Sequence, residues 1–236
     1  MIIKRGIMGK SKYVHIQVIY EDNHLIAVNK PPGVLVHGDD TGDYTLADAV
    51  KGYIKDRYNK PGDVFLGVIH RLDRPVSGVV LFARTSKGLA RMNKLFQERK
   101  VSKQYLAIVN KRPEPLEGRL TNFLAKDSRK NVARVHQSEK RGAKKSITDY
   151  KLIAGLNGYF LLEINPISGR PHQIRIQLAN HGCPIVGDLK YGYSRPTQDR
   201  SICLHCNKLS FEHPVKKEHI EIEADMPTKE YWKFFE

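Results

Sequence analysis

The sequence predicts an α+β domain dominated by strands, on three observations. Short apolar runs bounded by turn residues recur along the chain, few segments carry helical periodicity, and 236 residues with 40% apolar content suit one sizeable domain with its own core. Val18–Tyr20 and Leu25–Val28 are strand candidates split by Glu21-Asp22-Asn23, a hairpin pattern that Pro31-Pro32-Gly33 ends. Thr45 opens a helix: Leu46, Ala49, Val50, Tyr53 and Ile54 recur at i, i+3, i+4, i+7 and i+8, and Asp48 stands at capping-box spacing. Asn59-Lys60-Pro61-Gly62 stops it. Val64–Ile69 and Gly78–Ala83 read as strands on either side of a polar loop. Ser86 is the expected N-cap of a second helix, with Leu89, Met92, Leu95 and Phe96 inward and Lys87, Arg91 and Lys94 on another face. Tyr105–Val109 is a further strand. Residues 126–146 hold eight Lys/Arg, two acids and only four apolar residues, which reads as an exposed loop or loose hairpin. Thr148–Leu152 and Tyr159–Ile164 read as strands, and a helix runs from about Pro171 to His181, ended by Gly182. No repeat or linker interrupts 17–236; residues 1–16 form a short basic extension.

Forty basic against 25 acidic residues give a net charge of +15. Such a field favours a polyanionic partner and says nothing about fold. A basic, non-specifically sticky enzyme is the plain alternative, but the cations cluster: 84–103 carries seven and one acid. Three cysteines are too few for a disulfide framework and suit a reducing compartment. Cys203 and Cys206 form a C-x-x-C without the second pair a tetrahedral zinc site needs, so they read as core or strand residues and no metal is expected. No apolar run is long enough for a signal peptide or a membrane span, and a cytoplasmic protein is expected.

The chemistry concentrates in Ile69–Val80, I-H-R-L-D-R-P-V-S-G-V-V, where one carboxylate, Asp73, stands among His70, Arg71 and Arg74. Neighbouring cations favour the charged carboxylate, making Asp73 a candidate nucleophile or anionic base. A surface Asp in a turn before a strand is the structural alternative. A second basic cluster about 100 residues on, G-R-P-H-Q-I-R-I-Q-L at 169–178, weighs against it. The H-R-L-D order shares letters with the kinase catalytic loop, but Leu72 separates Arg from Asp and no D-F-G or Gly-rich loop follows.

Together, VIYEDNHLIAVNKPPGVLVH at 18–37, H-R-L-D-R-P-V-S-G, Lys103-Gln-Tyr105-Leu-Ala-Ile, G-R-P-H-Q-I-R and C-L-H-C-N-K-L-S-F-E-H-P at 203–214 resemble the RluA family of RNA pseudouridine synthases. The resemblance covers roughly 17–225 in the family's order and lacks the accessory S4 module that some members carry. It departs at Val76, where the family usually has Thr, which removes a hydroxyl near Asp73.

The resemblance implies a mixed, largely antiparallel sheet flanked by helices, with a central RNA-binding cleft, and 17–236 as the catalytic domain. It implies isomerisation of uridine to pseudouridine in structured ribosomal or transfer RNA. It places Asp73 as the essential carboxylate, Tyr105 stacking on the base and taking the C5 proton, and Arg175 paired with Asp73. Arg71 matches a position that slides into the space left by the extruded base. His70 reads as a loop support, and it joins Arg74, Arg170 and His172 as substrate-binding expectations around the site. Lys87, Arg91, Lys94, Arg129, Lys130, Lys140 and Arg141 would grip phosphates. The isomerisation involves no redox step and no group donor, so no cofactor is expected; nor is an obligate protein partner, and a monomer is. The rival is a synthase-like RNA chaperone or assembly factor without turnover, favoured only by Val76.

Overall fold

The longest unbroken apolar runs form the buried middle of one sheet. The computed structural model describes residues 14–38, 42–127, 129–136, 138–139 and 142–236. Among these, strands β1 (Gln17–Glu21), β2 (Leu25–Lys30), β3 (Gly67–Val68), β4 (Ser77–Ala83), β5 (Ser102–Val109), β6 (Glu117–Asp127), β7 (Val132–His136), β8 (Lys144–Leu156), β9 (Tyr159–Pro166), β10 (Leu204–Glu212) and β11 (His219–Glu223) join one sheet. The order along it is β1-β2-β4-β10-β5-β9-β8-β6-β7, with β3 on β4 and β11 on β10. Only β4 and β10 run parallel; the other pairings are antiparallel, so the sheet is mixed and largely antiparallel as expected. All of β4 is buried, which explains its continuous Val79–Ala83 run: a strand covered on both faces has no polar side to alternate with.

The parallel pair brings segments distant in sequence together at Gly78 and Cys206. Gly78 has φ +116°, and a Cβ there would run into the Cys206 backbone carbonyl. Only glycine lets these strands meet. β10 in turn sets Cys206 opposite Tyr105 on β5, so the strand leaving the Asp73 loop and the strand carrying Tyr105 flank one central strand.

Helix α1 (Leu46–Arg57) starts as its sequence predicts. The Thr45 hydroxyl accepts from the Asp48 amide and the Asp48 carboxylate accepts from the Thr45 amide, a reciprocal cap contributing about 1 kcal/mol. Helix α2 (Ser86–Gln97) corrects the expected cap: Thr85 holds the N-cap and Ser86 is the first helical residue, because the extended Thr85 backbone aims its hydroxyl at the Gly88 amide, 3.0 Å away. Of the expected inward stripe on α2, Met92 is fully buried and Leu89, Leu95 and Phe96 are half-buried. Helix α3 (Gln173–Asn180) falls within the expected 171–181.

Two strand expectations are revised. Val64–Ile69 shrinks to Gly67–Val68: on that edge of β4, β10 pairs with Ser77 and Gly78, the Leu81 amide donates to His70 Nε2, and β3 pairs with Phe82 and Ala83. The 126–146 segment is more than a loose excursion: β6 and β7 pair from Phe123↔His136 to Asp127↔Val132, and Ala133 and Ala143 are buried. Its cations Arg129 and Lys130 lie exposed at the tip, whereas Lys140 and Arg141 lie outside the described residues.

Candidate active site

Asp73 sits in the loop between β3 and β4, and its geometry is set from three directions. The Val76 amide donates to the Asp73 carbonyl at 3.0 Å, closing a turn, and the Ile202 amide donates to Pro75 at 3.2 Å, tying that turn to the segment before β10. The Arg74 carbonyl accepts from the Gly33 amide at 2.8 Å and from Lys30 Nζ at 3.2 Å. Lys30, a fully buried lysine at the end of β2, also donates to the carbonyls of Pro31 and Val34. Burial pushes its pKa down to about 7, with Asp73 opposing that fall and Arg74 adding to it. Three carbonyl acceptors satisfy all three ammonium hydrogens, so Lys30 pins the 30–34 turn to the Asp73 loop.

Arg175 is the counter-charge. Its Nη1 donates to Asp73 Oδ2 at 2.8 Å, while Nε and Nη2 form a two-point pair with Asp188 at 2.7 and 2.8 Å. Side-chain exposure is 30% for Asp73, 5% for Arg175 and 1% for Asp188, so the pair with Asp188 is sealed and the pair with Asp73 opens to solvent. Burial works against the guanidinium charge, but the bonds to Asp188 and the charge of Asp73 more than offset it and raise the arginine's pKa. The Tyr191 ring packs 5.1 Å from the guanidinium carbon. Asp188 therefore aims Arg175 at Asp73, and no sequence motif had singled it out.

The local sequence of α3 explains how Arg175 reaches that place. Gln173 and Gln177, one helical turn apart, are buried against β8 and β6: Gln173 donates to the Ile147 carbonyl and Thr148, and Gln177 bonds Thr148, Asn122 and the Leu120 and Ser146 carbonyls. These polar anchors fix the helix rotation, leaving Arg175 on the Asp73 side. His172, in the left-handed conformation at φ +55°, turns the chain into α3. Its Nδ1 lies 2.7 Å from the Tyr191 hydroxyl, which accepts from the Ala133 amide, and its Nε2 is 3.8 Å from Asp73 Oδ2. Burial lowers the His172 pKa, Asp73 opposing and Arg175 reinforcing that shift, so the ring tends to neutrality beside the carboxylate.

Tyr105 projects from β5 beside Cys206. Burial, the hydrogen-bonded Cys206 thiol and the charge of Asp73 all raise the pKa of its hydroxyl, which stays protonated at neutral pH. His70 faces inward: its Nε2 accepts from the Leu81 amide at 3.0 Å, its ring stacks on Phe96, and burial, then Lys103, lowers its pKa to about 3. Arg74 turns away from the carboxylate to Asp43 and to the Gly33 carbonyl at 3.1 Å. Arg71 is exposed and reaches His37 Nε2 at 3.1 Å. Arg170 lines a cavity of about 220 Å³ with Lys126 and Lys144, and its buried Nε has no partner among the described residues. Lys87, Arg91 and Lys94 are exposed on α2. Cys183, Cys203 and Cys206 are all buried, and among the described residues no His, Cys, Asp or Glu group of three or more could hold a metal ion.

Residues 24–180 match the family model described as RNA pseudouridylate synthase. The chain is 34% identical over 212 residues to ribosomal large subunit pseudouridine synthase C of Rickettsia prowazekii, covering 89% of this chain and 68% of that protein. It is 30% identical to ribosomal large subunit pseudouridine synthase D of Zymomonas mobilis, covering 91% and 70%. Among solved structures, human RNA pseudouridylate synthase domain containing 1 superposes with a TM-score of 0.74 at 25% identity, over 94% of this chain and 88% of that one.

Proposed function

The chain belongs to the RNA pseudouridylate synthase family, and from that premise we propose that it isomerises uridine to pseudouridine in large-subunit ribosomal RNA. The observation that carries this reading is Asp73 held against Arg175, itself clamped by buried Asp188. The relatives' names supply the RNA class. Isomerisation breaks N1–C1′ and joins C5 to C1′; N1 gains a proton and C5 loses one, so atoms and electrons balance within the nucleoside.

In this reading Asp73 acts at the sugar, either by attack on C1′ or by removing a proton to give a glycal. Arg175 holds its charge and orientation. Tyr105 stacks on the base and handles the C5 proton. A protonated hydroxyl can accept that proton only by passing its own on to a neighbouring base or to water. Exposed Arg71 fills the space left by the extruded base, whose unstacking costs a few kcal/mol. Arg170, His172 and the cations of α2 and the β6–β7 tip contact the RNA chain. Residues 17–236 act as one catalytic domain, monomeric and cytoplasmic.

RNA binding without turnover, the chaperone or assembly-factor reading, gains nothing from Val76: its side chain is buried in the core and its amide still closes the Asp73 turn. Incubating the protein with ribosomal RNA tritiated at uridine C5 tests the proposal. Release of tritium to water, at positions then mapped as pseudouridine, is the expected result; binding without release would refute it.

A further inference from the structure

Resting on that reading, one step of the reaction makes a demand that the assigned residues leave unmet. When N1–C1′ breaks, the bonding pair leaves with the base, and uracil carries negative charge over N1, O2 and O4 until C5 rejoins C1′. A site offering only a carboxylate would repel that charge, and a cation aimed at the base would hold it. Arg170 apart, which lines the cavity with Lys126 and Lys144, the site's other cations are committed. Arg175 is bonded to Asp73 and Asp188, Arg74 to Asp43 and Gly33, Lys30 to three carbonyls, and Arg71 to His37.

Lys103 remains. It stands on β5 two residues before Tyr105 and so shares its face of the sheet. Its Nζ lies 3.3 Å from where a Cβ on Gly169 would sit, so the glycine of G-R-P-H-Q leaves room for the ammonium. The residue is half-buried, and its ammonium makes no hydrogen bond and no ion pair among the described residues. We propose that Lys103 is a catalytic residue whose ammonium contacts the departing uracil and holds the negative charge that develops on it.

The electrostatics around Lys103 suit this role. Burial lowers its pKa below the usual lysine value, the Cys206 thiol opposing that fall. The groups facing it do not titrate near neutrality: His70 of the Asp73 loop is lowered to about 3, Cys206 of β10 is raised to about 12, and Tyr105 of β5 is raised further above its ordinary value. The charged lysine is the active form, so the rate falls as pH rises through its lowered pKa.

Single-turnover rates on one RNA carrying either uridine or 5-fluorouridine at the target test the assignment, starting from a parent protein shown to release C5 tritium. Lys103→Met is expected to slow cleavage of uridine roughly 10²-fold, with RNA affinity within a few-fold and an unchanged melting curve. The loss on 5-fluorouridine is smaller, because the fluorinated base is more acidic and leaves more readily. Lys103→Arg, which keeps the charge if Lys103→Met misfolds, restores much of the rate and moves the alkaline fall to higher pH. Equal losses on both nucleosides, or a raised KM with unchanged kcat and a flatter salt dependence, would overturn the proposal and make Lys103 a phosphate contact. A parent that releases no tritium would instead refute the underlying reaction.

Discussion

The centre around Asp73 and the tip of the β6–β7 hairpin are both rich in charge, and they use it in opposite ways. At the centre the charges that position Asp73 have fixed partners: Arg175 is 5% exposed and bonded on both sides, Asp188 is 1% exposed, and Lys30 is wholly buried on three carbonyls. At the tip, Arg129 and Lys130 face solvent, and Arg134 has only a 3.3 Å contact with Asp127. A desolvated, fully bonded charge holds one geometry, which bond rearrangement requires; an exposed one is screened and adaptable, which suits a phosphate chain of variable shape. Position and grip are thus separated in space, and the separation can be tested.

The largest expected effect is at Asp73. Asp73→Ala should abolish tritium release while leaving RNA affinity within a few-fold, since the phosphate contacts are elsewhere. A tenfold or larger loss of affinity alongside activity would merge the two regions.

Tyr105→Phe keeps the stacking ring and loses the hydroxyl. Binding should survive while C5 proton release slows by roughly 10²–10⁴, the usual contribution of a positioned acid or base. A variant that turns over like the parent would send the proton elsewhere.

Arg175→Met sharpens the comparison through stability. Asp73 is partly open and water can compensate it, so the cost falls mainly on Asp188, left as a sealed carboxylate without its two-point partner. A loss of about 3–5 kcal/mol in denaturant unfolding is expected. Activity should fall further than binding. A loss under 1 kcal/mol would mean that Asp188 is not sealed in solution.

The smallest effect is expected from the cations of 126–146. Replacing Arg129, Lys130, Lys140 and Arg141 with Gln should weaken RNA binding and flatten the slope of log affinity against log salt by as much as about 3. The rate on saturating RNA should hold. An unchanged slope would move the footprint to Lys87, Arg91 and Lys94 on α2.

What could be read in advance was what local chemistry encodes. The α1 capping box, the continuous β4 run and the arrangement of Ile69–Val80 and Gly169–Leu178 are short-range patterns, legible because periodicity and capping act within a few residues. The resemblance carried by those motifs supplied the antiparallel sheet and the pairing of Asp73 with Arg175, whose contact distance the structure gives as 2.8 Å. Other features depended on contacts distant in sequence. Val64–Ile69 became a two-residue strand: the chain pairs with β4 at Phe82 and Ala83, and beyond them the Leu81 amide goes to the His70 ring. His70 turned inward to the Leu81 amide, and Asp188, an unremarkable acid before a turn, became the clamp on Arg175. Lys30 and Lys103 each stand in a motif that says nothing of what its ammonium meets; packing separates them, spending one on three carbonyls and leaving the other's ammonium without a bond among the described residues. Sequence determined which residue types were available and how each segment folds locally. Tertiary structure decided which charges lose water and which partner replaces it, because desolvation depends on everything packed around a group rather than on its neighbours in the chain.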